Sequence, residues 1–96
     1  MKARPIEDRV IILPVVMDHT HEQFYEHSKA TEKPLQGIVQ AVGPGKYILV
    51  GEKMILTPMD IKVGETVIYG KHVGTEIVID GVSYIVMKLG DIYAIL

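Results

Sequence analysis

Hydrophobic positions in this chain come in short runs broken by glycine, proline and charge, and one long polar stretch interrupts them. The first run, Arg9–Val16, is dominated by Val and Ile, as suits a pleated, half-buried surface, and predicts a strand. Pro14 has no N–H to give to a ladder, so that end of the strand lies at an edge or at the exit into the polar stretch. Beyond the polar stretch, Gly37–Gly43 (GIVQAVG) predicts a second strand, ended by the turn-forming Gly43-Pro44-Gly45. The runs KYILV (46–50) and MIL (54–56) flank Gly51-Glu52-Lys53 and predict a β-hairpin over Lys46–Leu56. Lys62–Glu65 then turns into TVIY (66–69), and Gly70–Gly74 is a loop. TEIVI (75–79) and VSYIV (82–86) are joined by Asp80-Gly81 alone, which suits a type I′ turn with positive φ at both central positions. Leu89–Asp91 turns once more before a terminal strand, IYAIL (92–96). Seven or eight short strands with no helix longer than a turn predict an all-β fold, a small barrel or sandwich.

The interruption, Met17–Gln36, is of another kind. It is rich in His, Glu, Lys and Thr and shows neither strand alternation nor a helical stripe. A structureless connection longer than about 12–15 residues is uncommon inside a compact domain, and is usually functional or disordered. Phe24-Tyr25 lies in its middle among acids and histidines. A polar arm with a small apolar bait can grip a partner and still keep the free protein in solution. The same pair could instead fold back over the barrel as a lid, and the residues alone leave both readings open. The terminal strand raises a similar choice. It is apolar and carries no charge or proline, so its edge invites pairing, either with its own barrel or with another chain.

Composition narrows the function classes. Ninety-six residues predict one domain over 1–96, with a core modest enough that oligomerisation would help it. A formal charge of −2, with Lys and Arg scattered from Lys2 to Lys88, argues against nucleic acid or an anionic membrane as partner. The chain has no cysteine, which excludes disulfides, thiolate zinc sites and cysteine nucleophiles. Arg4, Glu7, Asp8 and Arg9 stand where a signal peptide needs an apolar segment, and the longest apolar run, Val10–Met17, is too short to cross a bilayer. A soluble protein is expected.

No catalytic motif survives inspection. Three of the four histidines lie in the arm, and His19, His21 and Glu22, or Glu26 and His27, offer nitrogen and oxygen ligands. Neither helical zinc pattern is complete, however; His21-Glu22, for one, would need histidine at Tyr25. A flexible segment also lacks the surrounding groups that orient imidazoles, so solvated histidines and no metal are expected. Gly45-Lys46 is no phosphate loop, because Gln40 stands where glycine is required and Tyr47 where Ser or Thr is. Gly43-Pro44-Gly45 fails the dinucleotide fingerprint at Ile48. Ser28 and Ser83 lack a nucleophile elbow, and the carboxylates are dispersed.

A resemblance covers nearly the whole chain. Arg4-Pro5, Asp8-Arg9-Val10 and the apolar Ile11–Leu13 open it. After the long loop come Gly37, Val39, Ala41-Val42-Gly43 and Gly45. Val63-Gly64-Glu65, Val67-Ile68-Tyr69, Gly74-Thr75-Glu76, Asp80-Gly81, Tyr84 and Asp91-Ile92-Tyr93-Ala94-Ile95 complete the order. Each piece is weak, but all of them in order at this spacing are specific. The chain resembles a GroES-type co-chaperonin, the ten-kilodalton partner of GroEL chaperonins.

The resemblance implies a small β-barrel subunit in a homoheptameric ring that caps a GroEL-type chaperonin and encloses unfolded substrate proteins. The long loop becomes the mobile loop, disordered until it docks, with Gln23, Phe24, Tyr25 and Glu26 at the contact. The hairpin becomes the dome roof (Tyr47, Ile48, Leu49, Val50, Glu52, Met54, Ile55), and Val73 faces the dome interior. The final strand pairs with the first strand of the adjacent subunit. That places Arg4, Pro5, Ile6, Asp8 and Val10, through Leu13, and Ile92, Tyr93, Ala94, Ile95 and Leu96 in the ring interface. The chain itself needs no cofactor and is no enzyme, because the chaperonin binds and hydrolyses ATP. The cytoplasm is the implied location, or a host's cytoplasm if a phage encodes the chain.

The loop departs from the family. Members usually carry Gly-Gly and an Ile-Val-Leu-like triplet there, whereas Met17–Gln36 has no glycine and offers Phe24-Tyr25. Val73 stands where tyrosine is frequent, and the hairpin is longer and more apolar than usual. A divergent chaperonin or a phage-encoded co-chaperonin fits these departures. Ordering twenty loop residues would cost roughly 20–40 kcal/mol of backbone entropy, against ~1.5–3 kcal/mol returned by each aromatic side chain. Only a short segment should therefore order, each loop should bind weakly, and ring symmetry should supply about 10²–10⁴ in avidity. Two rivals remain: a stand-alone β-barrel binding module, metal-dependent through the loop histidines, and a fragment of a zinc alcohol dehydrogenase, whose GroES-like domain needs cysteine ligands and a nucleotide-binding domain that this chain lacks.

Overall fold

The structure is a computed structural model that describes residues 1–15 and 35–96. The strands among the described residues are, in chain order, β1 (Arg9–Pro14), β2 (Leu35–Val42), β3 (Lys46–Val50), β4 (Lys53–Thr57), β5 (Thr66–Tyr69), β6 (Thr75–Ile79), β7 (Val82–Lys88) and β8 (Ile92–Ile95). A 3-10 turn, Leu89–Asp91, precedes β8. Six strands form one sheet in the order β6-β7-β1-β2-β5-β8, and β3 and β4 form a separate hairpin.

The alternation in β1 explains the core. Val10 and Ile12 point inward and meet Val39 of β2, Val67 and Tyr69 of β5, and Met87 of β7 in one cluster, with Ile92 of β8 packed against it. Side chains from strands so far apart in the sheet order meet only because the sheet curls, which makes the fold a small all-β barrel. Ile61, buried, and Met59, half-buried, come from the link between β4 and β5 and join the same cluster. The barrel is not hydrogen-bonded all the way round, because β6 and β8 are both edge strands.

Local chemistry sets the boundaries. The Val15 N–H donates to the Gln36 carbonyl at 2.9 Å, so the nitrogen of Pro14 faces the other way, towards β7. Pairing with β7 has already ended there, at Ile12 opposite Ile85, and the missing N–H costs no ladder bond. β2 begins earlier than expected. Leu35 pairs with Tyr69 and packs against the core, and Gln36 pairs with Ile68, so these two residues belong to the barrel and not to the polar arm. β7 runs on to Lys88 because Met87 is a core residue opposite Val10. The hairpin closes at Thr57, whose hydroxyl donates to the Lys46 carbonyl at 2.6 Å. Asp80 (φ 51°) and Gly81 (φ 79°) are both left-handed, as the tight turn between β6 and β7 requires.

β1 is hydrogen-bonded on both sides, to β2 and to β7. Val10 is fully buried in its own core, with no surface to offer a neighbour. Both backbone edges of β1 are thus occupied over Val10–Ile12, whereas Leu13 pairs with Ile38 alone and is half-buried. What remains free at that end is the segment before Glu7.

Two substitutions test this packing. A Cβ built on Gly43 lies 2.3 Å from the Glu7 carbonyl oxygen, which is backbone and cannot rotate away, whereas one on Gly90 meets nothing within 4 Å. Gly43→Ala should lower unfolding stability by about 1–3 kcal/mol and Gly90→Ala by no more than ~0.5 kcal/mol, read from denaturant midpoints. The Tyr69 hydroxyl is buried with no hydrogen-bond partner among the described residues, and burial raises its pKa. The unfolded state releases that proton near pH ~10 while the folded state keeps it, so stability should fall as pH rises above ~10. Tyr69→Phe should match or exceed the parent at neutral pH by up to ~1 kcal/mol and lose less stability between pH ~9 and ~11.

Candidate functional site

Interaction surface, not a catalytic cleft, is what this barrel displays. The described residues contain no group of His, Cys, Asp and Glu placed to hold a metal ion, and no helix long and apolar enough to cross a membrane. Gln23, Phe24, Tyr25, Glu26 and the three arm histidines lie outside the described residues.

The N-terminal segment and β8 form the first surface. Arg9 N–H donates to the Ile6 carbonyl at 3.2 Å, closing a turn in which Glu7 takes φ 57°. The Arg9 guanidinium braces that turn, lying 3.3 Å from a Glu7 carboxylate oxygen. Pro5 is buried and Asp8 half-buried, while Arg4 and Ile6 are exposed, Ile6 at 67%. Lys2 reaches Asp80 at the β6–β7 turn, 3.1 Å away, in an exposed ion pair worth little by itself.

At the other end of the sheet, β8 pairs with β5 through Val67–Ile95, Ile68–Ala94 and Tyr69–Ile92, and its outer edge has no strand beside it. Ile92 is half-buried against the core, but Tyr93, Ala94, Ile95 and Leu96 are exposed, Tyr93 at 68%. A cleft of about 350 Å³ runs along this strand, lined by Asp60, Ile61, Leu89 and Ile92–Ile95. The uncharged IYAIL run marks the β8 residues in the sequence. Asp60 and Ile61 escape such a reading, because their one signal is a lone isoleucine between Asp60 and Lys62.

The β3–β4 hairpin is the second surface. Tyr47, Ile48, Leu49, Val50, Met54, Ile55 and Leu56 are all exposed, as is Glu52 at its tip. Its root is held by Gly45, whose N–H donates to the Glu7 carbonyl at 3.0 Å and whose φ of 114° favours glycine. Val73, in the loop after β5, is half-buried and packs against the barrel's own core. Among the described residues, the expected ones do not converge on one pocket. Apart from Val73, they divide between a sheet edge with its neighbouring segment and a projecting hairpin.

The family described as chaperonin 10 Kd subunit matches residues 2–96. The chain is 44% identical over 96 residues to a co-chaperonin GroES of Syntrophomonas wolfei, covering 98% of this chain and 97% of that protein. It is 43% identical over 97 residues to one of Syntrophotalea carbinolica (100% and 99%) and 38% identical over 96 residues to one of Gemmatimonas aurantiaca (99% and 95%). The chain belongs to the chaperonin 10 kDa subunit family, the GroES-type co-chaperonins, and is a non-enzymatic component of the protein-folding machinery.

Proposed function

We propose that seven copies of this chain form a ring that caps a GroEL-type chaperonin in a nucleotide-dependent manner and encloses unfolded proteins for folding. ATP is bound and hydrolysed by the chaperonin, and the work is done in the cytoplasm. The observation that carries this reading is the family match over residues 2–96, together with relatives named as co-chaperonins along almost their whole length. The free edge of β8 supports the ring, since an uncharged apolar edge is a site for pairing with another chain. The segment before Glu7 carries the exposed Ile6 and lies outside the sheet, which suits it to be that partner. Phe24 and Tyr25, with Gln23 and Glu26 beside them, supply the contact to the chaperonin, and the ring multiplies weak single contacts into useful avidity.

Two experiments test the two halves separately. In sedimentation the chain should run near seven times 10.7 kDa. Ile6→Asp should shift it towards the monomer while changing the subunit's unfolding midpoint by no more than ~0.5 kcal/mol, because Ile6 is exposed in the single chain. A monomeric parent would refute the ring. Pull-down with a GroEL-type chaperonin should recover the chain in the presence of ATP and lose it without nucleotide. The double variant Phe24→Ala, Tyr25→Ala should lose at least about tenfold in binding and keep its ring mass, since each truncated aromatic removes ~1.5–3 kcal/mol of apolar burial. Unchanged binding by that variant would take the loop out of the mechanism.

A further inference from the structure

The turn before β1 holds a residue that its backbone does not suit. Arg9 N–H donates to the Ile6 carbonyl at 3.2 Å, so Ile6, Glu7, Asp8 and Arg9 form a β-turn. Glu7 takes φ 57° there, and Asp8 does not take a positive φ. Positive φ at the first central position alone is the type II′ pattern, which calls for glycine at that position. Glutamate stands there instead, and its side chain is engaged. The Arg9 guanidinium donates to a Glu7 carboxylate oxygen at 3.3 Å and lies 3.5 Å from the Ile6 carbonyl oxygen. Arg9 is itself a costly choice for the strand, because its partner across on β7 is Lys88, and like charges directly opposite repel. The same turn reaches the hairpin, since the Glu7 carbonyl accepts the Gly45 N–H at 3.0 Å. Pro5 is buried just ahead of the exposed Ile6. One backbone conformation therefore sets both the hairpin root and the direction in which Ile6 leaves the barrel.

We propose that Arg9 is a positioning residue for assembly. By gripping the Ile6 carbonyl and the Glu7 carboxylate it keeps Glu7 left-handed, and that conformation aims Ile6 at the neighbouring copy and seats the hairpin root. The inference rests on the ring assembly proposed above and names what prepares each chain for it. An exposed ion pair adds little energy by itself, so the value of this one lies in the backbone state that it selects. Without the brace, a glutamate at this position relaxes towards negative φ, where residues with a side chain are favoured. That rotation turns the Glu7 carbonyl away from Gly45 and swings the segment that carries Ile6. Affinity between subunits then falls in proportion to the fraction of chains left in the competent conformation. Glycine at position 7 holds the same conformation unaided, which makes Arg9 dispensable in its presence.

Two variants separate backbone conformation from charge. Glu7→Ala and Glu7→Gly both remove the carboxylate, and only glycine takes φ 57° without strain. In sedimentation at falling concentration, the alanine ring should come apart at a concentration at least about fivefold above that of the glycine ring. Arg9→Met, which keeps an apolar stem and removes the fork, should raise the parent's dissociation concentration at least about fivefold. With Glu7→Gly already present, the same change should cost less than about twofold. Equal dissociation of the alanine and glycine rings would refute the proposal. An equal loss from Arg9→Met in both backgrounds would also sink it, since Arg9 would then act on the neighbour directly or on the fold at large. The hairpin root is read separately, on the monomeric Ile6→Asp chain, by amide hydrogen exchange. There Arg9→Met should speed exchange of the Gly45 amide at least about fivefold and leave the Gly64 amide within about twofold. The Gly64 N–H donates to the Val39 carbonyl, away from the turn, and so reports the barrel itself. An unchanged Gly45 amide, or equal acceleration of both, would overturn the link to the hairpin. A parent that sediments as a monomer would overturn the ring and Arg9's part in assembly together, and the exchange result would still decide whether the turn governs the hairpin root.

Discussion

Three consecutive carbonyls, those of Glu7, Asp8 and Arg9, hold together the parts of this molecule that lie outside the barrel wall. They accept hydrogen bonds from Gly45 at 3.0 Å, Leu89 at 2.8 Å and Gly43 at 2.9 Å. The first and third tie down the root of the β3–β4 hairpin, and the second fixes the start of the turn that delivers β8. The N-terminal segment leaves from the same place. Glycine is needed at 43 and 45 because any side chain would enter the backbone of Glu7 or Thr57. Glu7 itself sits at φ 57°, a conformation that costs a non-glycine residue on the order of 1 kcal/mol, and the surrounding bonds keep it there. A displacement of any one of the three attached elements is therefore felt by the other two.

Saturation of the central strand sends association to the periphery. With both edges of β1 occupied, only β6 and β8 expose backbone donors and acceptors at the margins of the main sheet. The two edges are treated differently. β6 carries Glu76 and runs into the Asp80 that Lys2 engages, charges that discourage pairing with another chain. β8 has no charge at all, and the apolar cleft beside it continues the invitation. A core this small, drawn from a 96-residue chain, gains from such a contact, because a barrel of this size buries only about two-thirds of its unfolded surface.

Most of the barrel was legible because its signals are local. The Asp80-Gly81 turn, the β5 run and the β6 run appear at the positions that residue type alone predicts. The misplacements have a common cause. Leu35 and Gln36 look like the end of a polar arm, and Met87 and Lys88 lie past the VSYIV run, but cross-strand partners extend each strand past its local signal. Val10 shows the same limit for the site. Its full burial in the chain's own core follows from the strands that flank β1 on both sides, and one chain's sequence does not display that. Asp60 and Ile61 were missed because a lone apolar residue in a loop has no periodicity to read.

Apolar side chains in this molecule sort by how permanent their partner is. The polar arm carries its aromatics as one pair, Phe24-Tyr25, set among charge. The hairpin, much shorter, carries seven apolar residues. A surface that must spend part of its time in water while its partner is absent can hold only a small bait, because a larger one would aggregate the free protein. The hairpin exceeds that limit, with Tyr47, Leu49, Met54 and Leu56 on one face and Ile48, Val50 and Ile55 beside Lys46 and Lys53 on the other. Under the proposed ring assembly, that surface and the β8 edge are the parts of the chain that gain most from cover, whereas Phe24-Tyr25 is small enough to be carried in water until it docks.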